Sequence, residues 1–177
     1  MSEQVEALPA QAIASDSRTT ISWRDYLELT KPRVVALMIL TSVIGMLLAA
    51  PGVPGWGVLV WGNLGIALLA GAAAVVNHVV DQKIDTVMAR TRKRPVATGK
   101  ISPLDALLFA TLLAAAGMGV LVWQVNALTA WLTLASLVGY AGVYTLFLKR
   151  ATPQNIVIGG LAGAMPPLLG WTAVTGQ

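Results

Sequence analysis

The sequence predicts an all-α fold, a polytopic bundle of transmembrane helices. Three observations carry that expectation. Of the 177 residues, 56% are hydrophobic and only 11% are charged, with a mean hydropathy of +0.71, where a soluble domain would carry about 25% charged residues. Five apolar stretches approach or reach the roughly 17–25 residues that a bilayer core requires: Val34–Ala50, Trp56–Val76, Leu107–Trp123, Ala127–Leu148 and Ile156–Val174. All twelve Lys and Arg residues fall before the first stretch or in alternate connectors.

Residues 1–22 are mixed, polar and weakly acidic. They lack the basic start and apolar run of a secretory signal, so they read as a disordered cytoplasmic tail ahead of a membrane domain over residues 23–177. Arg18, Arg24, Lys31 and Arg33 precede the first span. The first and second spans are joined by the uncharged Pro51-Gly52-Val53-Pro54-Gly55. The second and third are joined by a segment holding Lys83, Arg90, Arg92, Lys93, Arg94 and Lys100. Gln124-Val125-Asn126 follows the third span, and Lys149 and Arg150 follow the fourth. The positive-inside rule makes the charged set cytoplasmic, with the N-terminus inside and the last residue outside. Trp56, Trp61, Trp123, Trp131 and Trp171 lie at or near outer span ends, as an interfacial aromatic belt does. Gly159 and Gly163 form a small-xxx-small pair that suits close helix packing. Pro166-Pro167 is expected to break or kink the fifth span.

The chemistry concentrates where the second span ends. Asn77, Asp81 and Asp85 are four residues apart, and on a helix such positions share one face. They form a stripe about 12 Å long at roughly 1.5 Å per residue. Carboxylates at membrane depth are costly and usually face a cavity or a bundle interior. Two carboxylates and an amide suit a hard, oxygen-preferring cation such as Mg²⁺, which shares its coordination with substrate phosphates. The alternative is a solvated helix end whose acids balance the basic loop. Arg residues in that loop suit phosphate because the guanidinium fork binds two oxygens at once; the bland reading is a topology determinant. Thr98-Gly99-Lys100 lacks the upstream glycine and the following hydroxyl of a phosphate loop. Ser102-Pro103-Leu104-Asp105 reads as a helix N-cap. Tyr140 and Tyr144 suit either an interface anchor or a cavity wall. There is no cysteine, which excludes disulfides, thiolate catalysis and Cys-based metal sites. Soluble and nucleic-acid-binding roles are excluded too, since the basic loop faces anionic lipid and an anionic substrate first.

Asn77-x3-Asp81-x3-Asp85, followed by Met88-x-Arg90-Thr91-x2-Arg94-Pro95, resembles the first Asp-rich motif of the UbiA superfamily of intramembrane prenyltransferases. Leu29-Thr30-Lys31-Pro32-Arg33-Val34, Lys149-Arg150-x-Thr152-Pro153-Gln154-Asn155 and Gly159-Gly160-x2-Gly163-Ala164-x-Pro166-Pro167 look like its haem-farnesylating branch, the haem O synthases. The resemblance runs from about Trp23 to the last residue. It implies transfer of a farnesyl group from farnesyl diphosphate to a vinyl group of haem b, at a bacterial inner membrane. Haem A synthase or a terminal oxidase assembly would then be a downstream partner. Carried over by position, Asn77, Asp81 and Asp85 would hold Mg²⁺, and Arg90 and Arg94 would bind the diphosphate, with Lys31 and Lys149 as further anion-binding candidates. Haem b enters as substrate, not cofactor. His78 is the only histidine; a ligand role is open to it, but a packed interfacial histidine is the commoner case. The family has about nine spans and a second Asp-rich motif. After Asp85 the only acid here is Asp105, so the chain looks truncated and is expected to be inactive alone. Two other readings stand beside this one: a prenyltransferase acting on 4-hydroxybenzoate or a quinone precursor, and a non-catalytic membrane fragment.

Overall fold

The structure is a computed structural model describing residues 21–148 and 155–177. The expected tail, apart from Ile21 and Ser22, lies outside the described residues, as do Lys149, Arg150 and Thr152-Pro153-Gln154. Every regular element among the described residues is helical.

Helix α1 (Trp23–Leu29) precedes the first span and was not foreseen. Ser22 caps it reciprocally: the Ser22 hydroxyl accepts from the Arg24 amide at 3.4 Å, and the Ser22 amide donates to the Asp25 carboxylate at 2.7 Å. The helix exposes Trp23 and Leu27 and buries Leu29. Lys31 then turns the chain in the left-handed region, at φ 51°. Helix α2 (Pro32–Ala49) starts with proline in its first turn, where the missing amide costs nothing.

A π-helical turn at Val58–Gly62 leads into α3 (Asn63–Val80). This stretch is the hub. Within its most apolar window 56% of residues are buried, against 17% for α2 and 22% for α5. The short helix α4 (Gln82–Asp85) follows after a single turn residue. Helix α5 (Pro103–Gln124) begins as expected: Ser102 accepts from the Asp105 amide at 3.1 Å, with Pro103 in the first turn. Helix α6 (Ala127–Val138) is capped by Asn126 and runs on as a π-helix over Gly139–Leu148. Helix α7 is Asn155–Thr175.

Five spans were expected. Among the described residues, Pro32–Ala49, Val58–Val80 and Pro103–Gln124 are long and apolar enough to cross a bilayer, and Ala127–Gly142 is a shorter apolar helix. The chain is therefore a multi-pass membrane protein. All five tryptophans of the expected belt are exposed.

Two packing expectations are corrected. Pro166-Pro167 does not break its span; α7 continues through both, with Pro166 fully buried. Gly159 lies close against the Tyr144 side chain, but the backbone-to-backbone helix approach lies elsewhere than Gly159-x3-Gly163. A Cβ added at Gly163 would meet nothing within 4 Å, whereas at Gly45 it would collide with the backbone of Pro167, and at Gly170 with the backbone of Ser42. Helices α2 and α7 thus meet backbone to backbone, the contact that membrane helices use when burial from water cannot drive them together. Buried hydroxyls add to the α6–α7 contact: Thr129 donates to Thr172 at 3.1 Å, and the Asn126 amide donates to the Thr172 carbonyl at 3.0 Å.

Candidate active site

The acidic stripe survives a change of helix. The α3 hydrogen-bond ladder continues through the break: the Asp81 amide donates to the Asn77 carbonyl at 3.0 Å and the Asp85 amide to the Asp81 carbonyl at 2.8 Å. That keeps the three side chains in i, i+4, i+8 register. Asn77, Asp81 and Asp85 are 5%, 4% and 3% exposed, so the solvated-helix-end alternative fails. The segment after α4 folds back over Asp85. Val96 and Ile101 are fully buried against Leu29, Val75 and Ala106. Gln82 donates to the Val96 carbonyl at 3.2 Å, and the Thr91 hydroxyl to the Asp85 carbonyl at 3.4 Å.

Arg94 comes to the stripe, its Nη1 donating to Asp85 Oδ2 at 2.7 Å. A guanidinium carries five donors, so one held by a carboxylate still has others for a phosphate oxygen. Arg90 is exposed on the loop. Lys31 is half-buried at the start of α2 and lines a cavity near the stripe. Lys149 lies outside the described residues. At the edge of the loop Lys100 pairs with Asp25 at 2.8 Å. The Lys100 ammonium first, and the Ser22 amide second, hold the Asp25 carboxyl below its usual range.

Sequence reasoning missed Thr145. Its hydroxyl bonds Asn77 Oδ1 at 3.4 Å and the Tyr140 carbonyl at 2.7 Å. The clue was a hydroxyl inside an apolar span, one residue from Tyr144. Tyr140 takes the cavity-wall role and stacks on Tyr144 with ring centroids 5.6 Å apart. Tyr144 fills the space beside Gly159. His78 is packed, at 3% exposure, but not satisfied: neither ring nitrogen has a hydrogen-bond partner among the described residues. An unmet buried donor or acceptor costs about 1–3 kcal/mol.

The cavity has a volume of about 520 Å³, between α2, α3, α6 and α7, and is mostly apolar, with Met38, Leu69, Ala73, Tyr140 and Leu169 among its walls. Ala70, Ala73 and Ala74 on its α3 wall lie one to two turns before Asn77 and Asp81. The polar stripe therefore continues along the helix that forms one wall of the apolar chamber, whose lining includes the polar side chains of Lys31 and Tyr140. No three His, Asp or Glu side chains converge on a ready metal cage among the described residues. The donors fit Mg²⁺ nonetheless, because that ion keeps waters and phosphate oxygens and needs only one or two carboxylates from protein.

Residues 38–177 match the UbiA prenyltransferase family. The chain belongs to that family. It is 88% identical over 173 residues to a protein of Marinobacter nauticus named protoheme IX farnesyltransferase, covering 98% of this chain and 57% of that protein. A protein of the same name from Hahella chejuensis is 70% identical over 154 residues, covering 87% of this chain and 52% of the relative. The chain thus spans a little over half the length of these curated relatives. A solved UbiA homolog from Archaeoglobus fulgidus, bound to GPP and Mg²⁺, superposes with a TM-score of 0.68 at 19% identity, covering 86% of this chain and 54% of that one. The same homolog bound to DMAPP and Mg²⁺ gives the same score. At that identity the likeness shows a shared UbiA fold.

Proposed function

We propose that this chain supplies the first diphosphate site of a membrane prenyltransferase that moves a farnesyl group from farnesyl diphosphate to a vinyl group of haem b, giving haem O. One observation carries the reading: the stripe of Asn77, Asp81 and Asp85 is buried, with Arg94 on Asp85, and follows directly on the α3 residues that wall an apolar chamber. The names of the relatives support haem b as acceptor, and the ligands of the Archaeoglobus fulgidus homolog support a prenyl diphosphate with Mg²⁺. The segregation of all twelve basic residues supports an inner-membrane protein with its N-terminus in the cytoplasm.

In this reading the C1–O bond of farnesyl diphosphate breaks and diphosphate leaves with the electron pair. The vinyl group gives its π electrons to C1, forming the new C–C bond. Water adds to the remaining vinyl carbon and loses a proton, leaving the hydroxyl of haem O. Asn77, Asp81 and Asp85 would hold Mg²⁺, which when bound neutralises charge on the departing diphosphate. Arg94 donates hydrogen bonds to the same oxygens, where charge develops. Lys31 adds positive charge at the cavity wall, and Arg90 and Lys149 serve as outer anion contacts. The chamber keeps water from the allylic cation until the C–C bond has formed. Haem O then passes to haem A synthase or a terminal oxidase assembly.

The test is a chimaera in which this chain replaces the matching stretch of the Marinobacter nauticus protein, expressed in cells that make no haem O. Haem O should form, and Asp81→Asn or Asp85→Asn should abolish it with the protein still in the membrane. Haem O formation that survives both substitutions refutes the reading. Prenylated 4-hydroxybenzoate in its place would favour the aromatic-acceptor alternative.

A further inference from the structure

We propose that Thr145 is a positioning residue that fixes which end of the Asn77 side-chain amide is presented to a divalent cation. The inference rests on the reading above, which supplies the cation, and goes beyond it in naming what orients one of its ligands. Thr145 is fully buried and Asn77 is 5% exposed. The Thr145 hydroxyl lies 2.7 Å from the Tyr140 carbonyl and 3.4 Å from the Asn77 amide oxygen. A hydroxyl has one proton and two lone pairs, so it cannot donate to both. Hydroxyl-to-oxygen bonds are about 2.5–3.0 Å long. The proton therefore belongs to the Tyr140 carbonyl, and only lone pairs are left for Asn77. Two oxygens facing each other without a proton repel. The amide resolves this by turning half a revolution about its last bond, which the similar shape of its two ends allows. Nδ2 then donates to Thr145 Oγ1, and Oδ1 becomes the end turned away from it.

That choice decides whether Asn77 can serve a metal. Mg²⁺ takes oxygen ligands, and an amide nitrogen, whose lone pair is delocalised, does not replace them. An asparagine that presents either end is a ligand only part of the time. A hydrogen bond from outside the coordination shell that locks one end is worth about 10–100-fold in metal affinity. The fold makes the lock stiff. Thr145 sits in the π-helical segment Gly139–Leu148, which packs against α3, and its hydroxyl is tied to the carbonyl five residues back in that wider turn. Tyr140, whose carbonyl takes the proton, also lines the cavity. In this role Thr145 acts through Asn77 and takes no part in bond making.

The test titrates Mn²⁺, an oxygen-preferring stand-in for Mg²⁺ that EPR detects, into the chain in lipid nanodiscs with farnesyl diphosphate present. Empty nanodiscs with the same ligand give the background. Thr145→Val keeps nearly the same shape and loses the hydroxyl; it should weaken Mn²⁺ binding about tenfold or more. Thr145→Ser keeps the hydroxyl and should bind like wild type. The deciding comparison is made on Asn77→Asp, which has an oxygen at both ends. There Thr145→Val should change Mn²⁺ affinity little, because no orientation remains to be fixed. Thr145→Ala gives the same comparisons if the valine variant does not fold. Equal Mn²⁺ affinity in wild type and Thr145→Val overturns the inference and leaves the proposed function standing. A serine variant as weak as the valine one overturns it, and so does an equal loss with and without Asn77→Asp, since the side chain then acts through packing. Wild-type chain that holds no Mn²⁺ above background overturns both the inference and the metal role proposed for Asn77, Asp81 and Asp85.

Discussion

Replacing Gly45 with alanine tests how the chamber is held together. A Cβ at Gly45 would lie 2.8 Å from both Cα and the carbonyl carbon of Pro167 and closer still to its oxygen, whereas ordinary contact begins at 3.4 Å. The obstacle is backbone inside an unbroken helix, so no side chain can rotate away. Helices α2 and α7 must part by roughly half an ångström or more, and a gap of that size already forfeits a quarter to a half of each dispersion contact nearby. Overpacking of this kind costs about 1–3 kcal/mol, or roughly 2–12 °C in Tm for a chain of this size. The comparison is Gly163→Ala, which adds the same methyl to α7 where nothing lies within 4 Å and should be neutral or mildly stabilising. Thermal unfolding in nanodiscs reads both. A Gly45→Ala chain within about 0.5 kcal/mol of wild type, the range of an ordinary surface change, would refute the backbone contact and with it the position of the cavity's outer wall.

Two further outcomes follow from the loop. In the chimaera, Arg94→Gln should lower kcat for farnesyl transfer by roughly ten- to a hundredfold, the worth of about 1.5–3 kcal/mol for a charged hydrogen bond; Arg90→Gln, at an exposed position, should change it much less, and equal effects would contradict the placement of Arg94 on Asp85. The Asp25–Lys100 pair should be acid-labile. Asp25 titrates below its usual value of 3.8 in the folded chain, so its contribution is present above that pH and is lost as pH falls through the lower, folded value. Protection factors in α1, the intrinsic exchange rate over the observed one, should therefore fall below about pH 4 in wild type and stay constant over that range in Asp25→Asn; protection that persists under acid shows that the pair does not hold α1 to the loop.

The all-helical, multi-pass character was legible because it rests on long sums: seventeen or more apolar residues in a row survive any local detail. The acidic stripe was legible for a different reason, since a period of four is a geometric statement that needs only a helix, and the hydrogen bonds linking Asn77, Asp81 and Asp85 preserve it across the end of α3. What stayed hidden depends on relations between helices. Gly159 and Gly163 have the spacing of a packing motif, yet Gly159 meets only the Tyr144 side chain, Gly163 meets nothing, and the tightest backbone approaches fall at Gly45 and Gly170, because spacing marks a face and says nothing about which partner will cover it. Thr145 was invisible in the same way. A lone threonine in a span has no pattern, and only the fold brings it to Asn77 across 68 positions of sequence. Among six basic residues in one loop, composition could not tell Arg94, which closes on Asp85, from Arg90, which faces out.

That division of labour has a consequence for how the site would work. One wall of the chamber and the start of the acidic stripe share one element, α3, whose residues Ile66, Leu69, Ala70, Ala73 and Ala74 line the cavity while Asn77 follows a turn later and Asp81 caps the helix end. A prenyl tail against those walls gains about 0.8 kcal/mol for each buried CH₂, equally before and during the reaction, and such uniform binding lowers KM without raising kcat. In the proposed reaction the acidic stripe and Arg94 would act on charge that grows only as the C1–O bond opens, and so on kcat. Enlarging Ala73, which lines the cavity, should therefore, on the proposed function, raise KM for long prenyl diphosphates while sparing short ones, whereas Asp85→Asn should depress turnover whatever the chain length. If both changes act alike on every donor, the chamber does not receive the tail and the continuity along α3 has no catalytic meaning.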